Sequence, residues 1–122
     1  KNQAYRMAML FDFYGDLLTD RQREFYDLYY NEDLSLAEIA ENYGISRQGV
    51  RDVIVRAEAA MTEIEDKTHL IRRFFTMQDD LAAIDSAAAA LQEAAALGTL
   101  TDELAESVSR TIREHAAKLM QE

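Results

Sequence analysis

The sequence predicts an all-α protein, and three observations carry that expectation. Proline is absent and glycine occurs only four times in 122 residues, so helix breakers are scarce. Apolar side chains recur at steps of three and four along most of the chain, the spacing of one helix face. No alternating β-branched run of useful length appears anywhere. With 48% hydrophobic and 30% charged residues, the chain has the composition of a folded domain and the length for one modest core.

The elements follow in order. Met7, Leu10, Phe11 and Tyr14 sit at helical spacing, so YRMAMLFDFYG reads as a first helix ending at Gly15. Thr19 with Gln22 three residues on forms a capping box for a second helix, and Asp20 suits its first turn. Phe25, Leu28 and Tyr29 supply its apolar stripe. After the polar joint NEDL the same signature returns: Ser35 and Glu38 box the start of LAEIAENY, which places Leu36, Ile39 and Ala40 inward. Gly44 follows as a C-terminal residue suited to positive φ. Ser46 caps the next helix, whose apolar face is Val50, Val53, Ile54 and Ala57.

From Arg47 to about Leu97 the only glycine is Gly49. Apolar or near-neutral residues at 50, 54, 57, 61, 64, 68, 71 and 75 make a heptad seam. A second seam in a different phase runs through 74, 77, 81, 84, 88, 91 and 95. The change of phase predicts a break between Asp66 and Phe75. Residues 82–96 include nine alanines, which favour helix and close helix approach. Gly98 ends that segment. Thr99 and Asp102 are the expected capping box of a last helix that lines up Leu104, Val108, Ile112 and Leu119.

Charge narrows the function classes. Thirteen basic residues oppose 23 acidic ones, a formal net charge of −10. The imbalance would repel a polyanion. Residues 44–56 reverse the sign, because Arg47, Arg51 and Arg56 face only Asp52. The sequence has no cysteine, so thiolate chemistry and disulfides are excluded, and a reducing, cytoplasmic setting is expected. His69 and His115 have no partner at metal-ligand spacing. The four glycines form no phosphate-cradling loop. No apolar run has the length of a membrane span, and none resembles a signal peptide. The reading is therefore of a non-enzymatic protein with no cofactor, no metal and no membrane insertion.

The most informative stretch is 35–56. Ala40 falls where two short helices cross, Gly44 where the chain must turn, and Val50 where the next helix returns to pack between them. With Ile39 and Val53 these residues form a helix-turn-helix pattern. Its second helix would expose Arg47, Gln48, Arg51 and, a turn further, Arg56. Arginine suits guanine and glutamine suits adenine. Ser46 and Ser35, each at a helix start, would cap and also offer donors to a phosphate. The alternative reading is that the serines serve only as caps and the arginines as solvated surface. Gly49 inside a helix costs about 1 kcal/mol relative to alanine, and either close approach or local softening would account for it.

The segment LLTDRQREFYDLYY followed by DLSLAEIAENYGISRQGVRDVIVRAEAAM is similar to region 4 of bacterial sigma factors. LFDFYG, LYY and SLAEIAENYGISRQGV together resemble the YlxM family of small bacterial proteins. That resemblance implies a helix-turn-helix fold, inferred DNA binding with Ser46–Arg56 as recognition segment, and association with or regulation of the signal-recognition-particle pathway. It implies no cofactor.

The expected architecture is a sigma region 4-like helix-turn-helix domain over residues 1–60, with its N-terminal support helix, and a helical extension over 61–122. The extension is expected to pack on the first part and to hold a homodimer through Ile71, Phe74, Phe75, Met77, Leu81 and Ile84, because a monomer has difficulty covering them. Two function classes follow: a DNA-binding regulator, or a protein–protein assembly factor that keeps the module as scaffold and meets a basic partner, such as a signal-recognition-particle component, through its acidic surface.

Overall fold

In the computed structural model, which describes residues 2–121, the chain is all-α. Six α-helices follow one another: α1 Asn2–Tyr14, α2 Asp20–Tyr30, α3 Leu36–Tyr43, α4 Arg47–Thr68, α5 Leu70–Leu97 and α6 Asp102–Leu119. A single 3-10 turn, Gly15–Leu17, separates α1 from α2. Two compact units result, residues 1–71 and residues 72–122.

Local chemistry starts the helices of the first unit. The Thr19 hydroxyl accepts from the Gln22 amide while the Gln22 side chain accepts from the Thr19 amide. Ser35 and Glu38 repeat that exchange at the start of α3. Each box satisfies two amides that a helix start would otherwise leave without partners. Ser46 opens α4 by accepting from the Gly49 amide at 2.9 Å.

The core of this unit is where four helices meet. Met7, Leu10 and Tyr14 come from α1, Phe25 and Tyr26 from α2, Ile39 and Ala40 from α3, and Val50, Ile54, Ala57 and Met61 from α4. Phe25, Tyr26, Ile39, Val50 and Met61 are fully enclosed. Burying side chains of this size stabilises by roughly 1.5–3 kcal/mol each. Phe11 stacks on Tyr26 with ring centroids 5.1 Å apart, and Phe25 meets the edge of Tyr43 at 4.9 Å. The Tyr26 hydroxyl, buried with its ring, donates to the Met7 carbonyl at 2.7 Å.

The expected break lies at His69, which takes φ 54°, ψ 26° between α4 and α5. The Thr68 hydroxyl accepts from the Leu70 amide at 3.2 Å, and Glu65 Oε1 accepts from the Ile71 amide at 2.9 Å. The heptad seam divides accordingly. Val50, Ile54, Ala57 and Met61 are buried, Ile64 and Ile71 pack against the same core, and Thr68 and Phe75 are exposed.

The second unit pairs most of α5 with α6. Its buried residues, among those described, are Asp80, Ala94 and Val108. Gly98 ends α5 at φ 70°, and the Thr99 amide donates back to the Ala94 carbonyl at 2.9 Å. The cap of α6 is Thr101, whose hydroxyl accepts from the Leu104 amide at 3.1 Å. Thr99, the expected cap, instead closes α5, its hydroxyl donating to Ala94 O. Gly98 leaves the helix in the left-handed region, and Thr99 and Leu100 carry the chain from there to the Thr101 cap. Leu104, Ile112 and Leu119 are half-buried beside Val108, as their spacing predicts.

Candidate nucleic-acid interface

The geometry that matters is the short turn between α3 and α4. Gly44 leaves α3 at φ 66°, ψ 33°. The Ile45 amide donates to the Ala40 carbonyl at 3.1 Å, and Ser46 at once caps α4. Ile39, Ala40 and Val50 are buried where the two helices cross, and Val53 is half-buried beside them. A left-handed Gly44 followed within two residues by the extended cap Ser46 is a tight way to reverse the chain between helices.

This turn carries the starts of α3 and α4 to one open cleft of about 690 Å³. Its walls are Tyr29, Ser35, Leu36, Ala37, Ser46, Arg47, Gln48 and Arg51. Five of the six residues expected at a nucleic-acid contact therefore meet in one place. Ser35, Ser46, Arg47, Gln48 and Arg51 are all exposed. Two helix starts and two guanidinium groups share the cleft, an arrangement favourable to anionic oxygens. Two carboxylates temper it: Asp52 Oδ1 accepts from the Gln48 amide at 2.9 Å, and Glu38 Oε1 accepts from the Ser35 backbone amide. Since a carboxylate only accepts, the Gln48 amino group turns toward Asp52.

Arg56 is the exception. It is exposed but does not line the cleft. Five positions beyond Arg51 on an α-helix is a rotation of about 140°, which carries it to another side of α4. The sequence missed Tyr29, Leu36 and Ala37 as cleft walls. A signal for the last two was present, because they follow the Ser35 cap directly and occupy the first turn of α3.

Gly49 has a local explanation. A Cβ at this position would stand 3.2 Å from Ser46 Oγ and 3.7 Å from Ile45 Cδ1. Glycine leaves room for the capping hydroxyl to reach the Gly49 amide. Glu38, whose carboxylate accepts from the Ser35 amide at 2.9 Å, is held below the usual glutamate range by its hydrogen bonds to Ser35.

Elsewhere the titratable groups are structural. Burial raises the Tyr14, Tyr26 and Tyr30 hydroxyls above the ordinary phenol value, and hydrogen bonds to Glu65 and Glu58 add to it for Tyr14 and Tyr30. Among the described residues, no group of three or more His, Cys, Asp or Glu is arranged to hold a metal ion. None of the described helices is long and apolar enough to cross a membrane. No spacing in the sequence points to a contact between Asp80 and His115, yet Asp80 Oδ1 lies 2.8 Å from His115 Nδ1 between α5 and α6.

The described residues form an all-α fold whose α3–turn–α4 unit gathers polar and basic side chains in one open cleft. The family model described as "Putative helix-turn-helix protein, YlxM / p13 like" matches residues 1–101, and the chain belongs to that family, UPF0122. A UPF0122 protein of Shouchella clausii (strain KSM-K16) is 44% identical over 103 residues, 84% of this chain and 94% of the relative. One from Acetivibrio thermocellus is 40% identical over 114 residues, covering 88% and 97%. One from Desulforamulus reducens is 50% identical over 72 residues, 59% of this chain and 62% of the relative. Helix α6 begins just beyond the residues that the family model matches.

Proposed function

We propose that the chain is a nucleic-acid-binding regulatory protein whose α3–turn–α4 unit is a helix-turn-helix of the sigma region 4 kind. The observation that carries this reading is the single cleft that collects Ser35, Ser46, Arg47, Gln48 and Arg51 at the starts of two helices. In the proposed complex α4 enters the major groove, Arg47 and Arg51 reach phosphates or guanine edges, and the α3 start rests on the backbone. The resemblance to YlxM proteins supports a place beside the signal-recognition-particle pathway, in the cytoplasm.

Two arginines neutralise few phosphates while a net charge of −10 opposes approach, so one protomer binds weakly. A homodimer doubles the contacts. Leu70, Phe74, Met77 and Leu81 follow one another on α5 at steps of four, three and four, and Leu70, Met77 and Leu81 are exposed there. A second copy burying this stripe is the pairing that the reading includes. Ile84 is half-buried next to the stripe, whereas Ile71 packs on the first unit and Phe75 projects from another side of the helix.

Mobility shifts against genomic fragments at two salt concentrations test the binding. A steep salt dependence lost in Arg47→Ala/Arg51→Ala supports it, and unchanged affinity in that variant rejects the cleft. Light scattering at micromolar concentration tests the pairing, since a mass near 13.9 kDa is that of a monomer. A second reading, an assembly factor for a basic protein partner, is favoured by the same net charge and the same exposed stripe. Absence of any mobility shift at low salt, together with capture of a basic partner, would select it.

A further inference from the structure

We infer that Asp52 is a positioning residue for base recognition. It fixes Gln48 as a hydrogen-bond acceptor, so the cleft selects a base with an exocyclic amino group, adenine or cytosine, at the position that Gln48 meets. The inference rests on the helix-turn-helix reading above and goes beyond it in naming what one side chain selects.

The side-chain amide of glutamine has two ends, an oxygen that accepts and an amino group that donates. A glutamine free to turn over can answer any base edge. In the major groove guanine shows the acceptors N7 and O6, and thymine shows O4 and a methyl group. Adenine shows the N6 amino donor beside N7, and cytosine shows the N4 amino donor. A glutamine held in one orientation therefore discriminates among them.

Gln48 stands in the first turn of α4 and lines the cleft with Arg47 and Arg51. Asp52, one turn further along the same helix, accepts from Gln48 Nε2 at 2.9 Å. An ionised carboxylate has no proton to give, so a flipped amide would set two acceptors against each other. Among the described residues no donor meets Gln48 Oε1, and that oxygen is the end left for a ligand. The second amino proton sits on the nitrogen held at Asp52. Adenine alone of the two bases can engage it as well, through N7.

The cleft side chains then divide by chemistry. Arg47 and Arg51 only donate and suit phosphate or guanine, whereas Gln48 Oε1 accepts and suits an amino group. Asp52 does not wall the cleft, and it is the only carboxylate between Gly44 and Arg56. Its charge opposes phosphate approach, so its contribution to binding is the orientation of Gln48. A glutamine–aspartate pair at this spacing also steadies an exposed helix, but that lesser role leaves base preference unmoved.

Selection of sequences from a random duplex library by the full chain tests this. The parent should enrich adenine or cytosine at one position, with about tenfold discrimination against guanine and thymine, and the base enriched tells the two amino donors apart. Gln48→Ala should lose the preference at that position and keep the others. Asp52→Asn, whose side chain donates as well as accepts, lets Gln48 present either end. The preference should fall severalfold while affinity for all sequences rises, because a negative charge is gone. Gln48→Glu/Asp52→Asn moves the carboxylate to position 48, where it can only accept, and should restore the preference at unchanged net charge. Both positions are exposed, and circular dichroism checks the fold of each variant. In the free protein the Gln48 side-chain amide resonances should shift in Asp52→Ala, and identical resonances would overturn the positioning role whatever the selection gives. A parent whose base preferences survive Asp52→Asn unchanged overturns this inference and leaves the helix-turn-helix reading standing. A parent that enriches no sequence overturns both.

Discussion

The hydroxyl of Tyr26 donates to the main-chain oxygen of Met7 across 2.7 Å, at a point where both residues are buried. The bond ties α2 to α1 nineteen residues earlier, and the Tyr26 ring fills the space between Phe11 and Tyr30. Tyr26→Phe keeps the packing and deletes the bond. The expected loss is about 1 kcal/mol, the usual net worth of a buried neutral hydrogen bond. Urea unfolding should show a lower midpoint with an unchanged slope.

Alkaline pH should unfold the first unit before it titrates these phenols. Tyr14, Tyr26 and Tyr30 are raised above 10.0 chiefly by burial. A raised phenol binds its proton more tightly in the folded state than in the unfolded one. Its contribution to stability is thus complete below pH 10 and is lost as pH rises toward the folded value. The buried phenols should ionise only together with loss of helix. Ionisation of Tyr14, Tyr26 and Tyr30 with helicity retained would contradict this.

Glycine-to-alanine substitutions should separate two glycines five residues apart. At Gly44, φ 66° is unfavourable for any residue with a Cβ, although a Cβ there would meet nothing within 4 Å. Gly44→Ala should therefore cost roughly 1–2 kcal/mol through the backbone alone. Gly49 is helical, so alanine brings up to about 1 kcal/mol of helix propensity. Its Cβ, however, would press on Ser46 Oγ at 3.2 Å and disturb the cap. Thermal unfolding should show a clear drop for Gly44→Ala and a change of less than about 0.5 kcal/mol for Gly49→Ala.

The Asp80–His115 contact should be costly to halve and cheap to replace. Asp80→Ala removes the acceptor beside His115 Nδ1 and leaves a half-buried ring nitrogen without that partner, an expected loss of about 1–3 kcal/mol. Replacing both residues by leucine should be near neutral or stabilising, since two apolar side chains leave no polar group without a partner. Hydrogen exchange of the α6 amides is the appropriate readout. Faster exchange in the single variant and parental exchange in the double variant are expected.

The parts of this chain that were legible in its sequence are those that depend on near neighbours. The boxes Thr19–Gln22 and Ser35–Glu38, the Ser46 cap, the left-handed Gly44 and Gly98, and the buried faces of α1 to α4 all follow from spacings of three and four. Helix geometry converts such spacings directly into contacts. The same holds for the cleft, whose residues lie in the first turns of two helices that a short glycine turn joins.

Tertiary structure decided what no spacing encodes. It set Tyr14 against Glu65, fifty-one residues away, and Asp80 against His115, thirty-five away. It turned Arg56 out of the cleft and made Thr101 rather than Thr99 the cap of α6. Within the stretch where the change of phase predicts a break, it placed the break at His69, leaving Phe75 in solvent while Ile71 reached the core. A helix face is fixed by the period of its own residues, but which face meets which is fixed by the competition among all the faces for a small core, and that competition is settled only when the helices assemble.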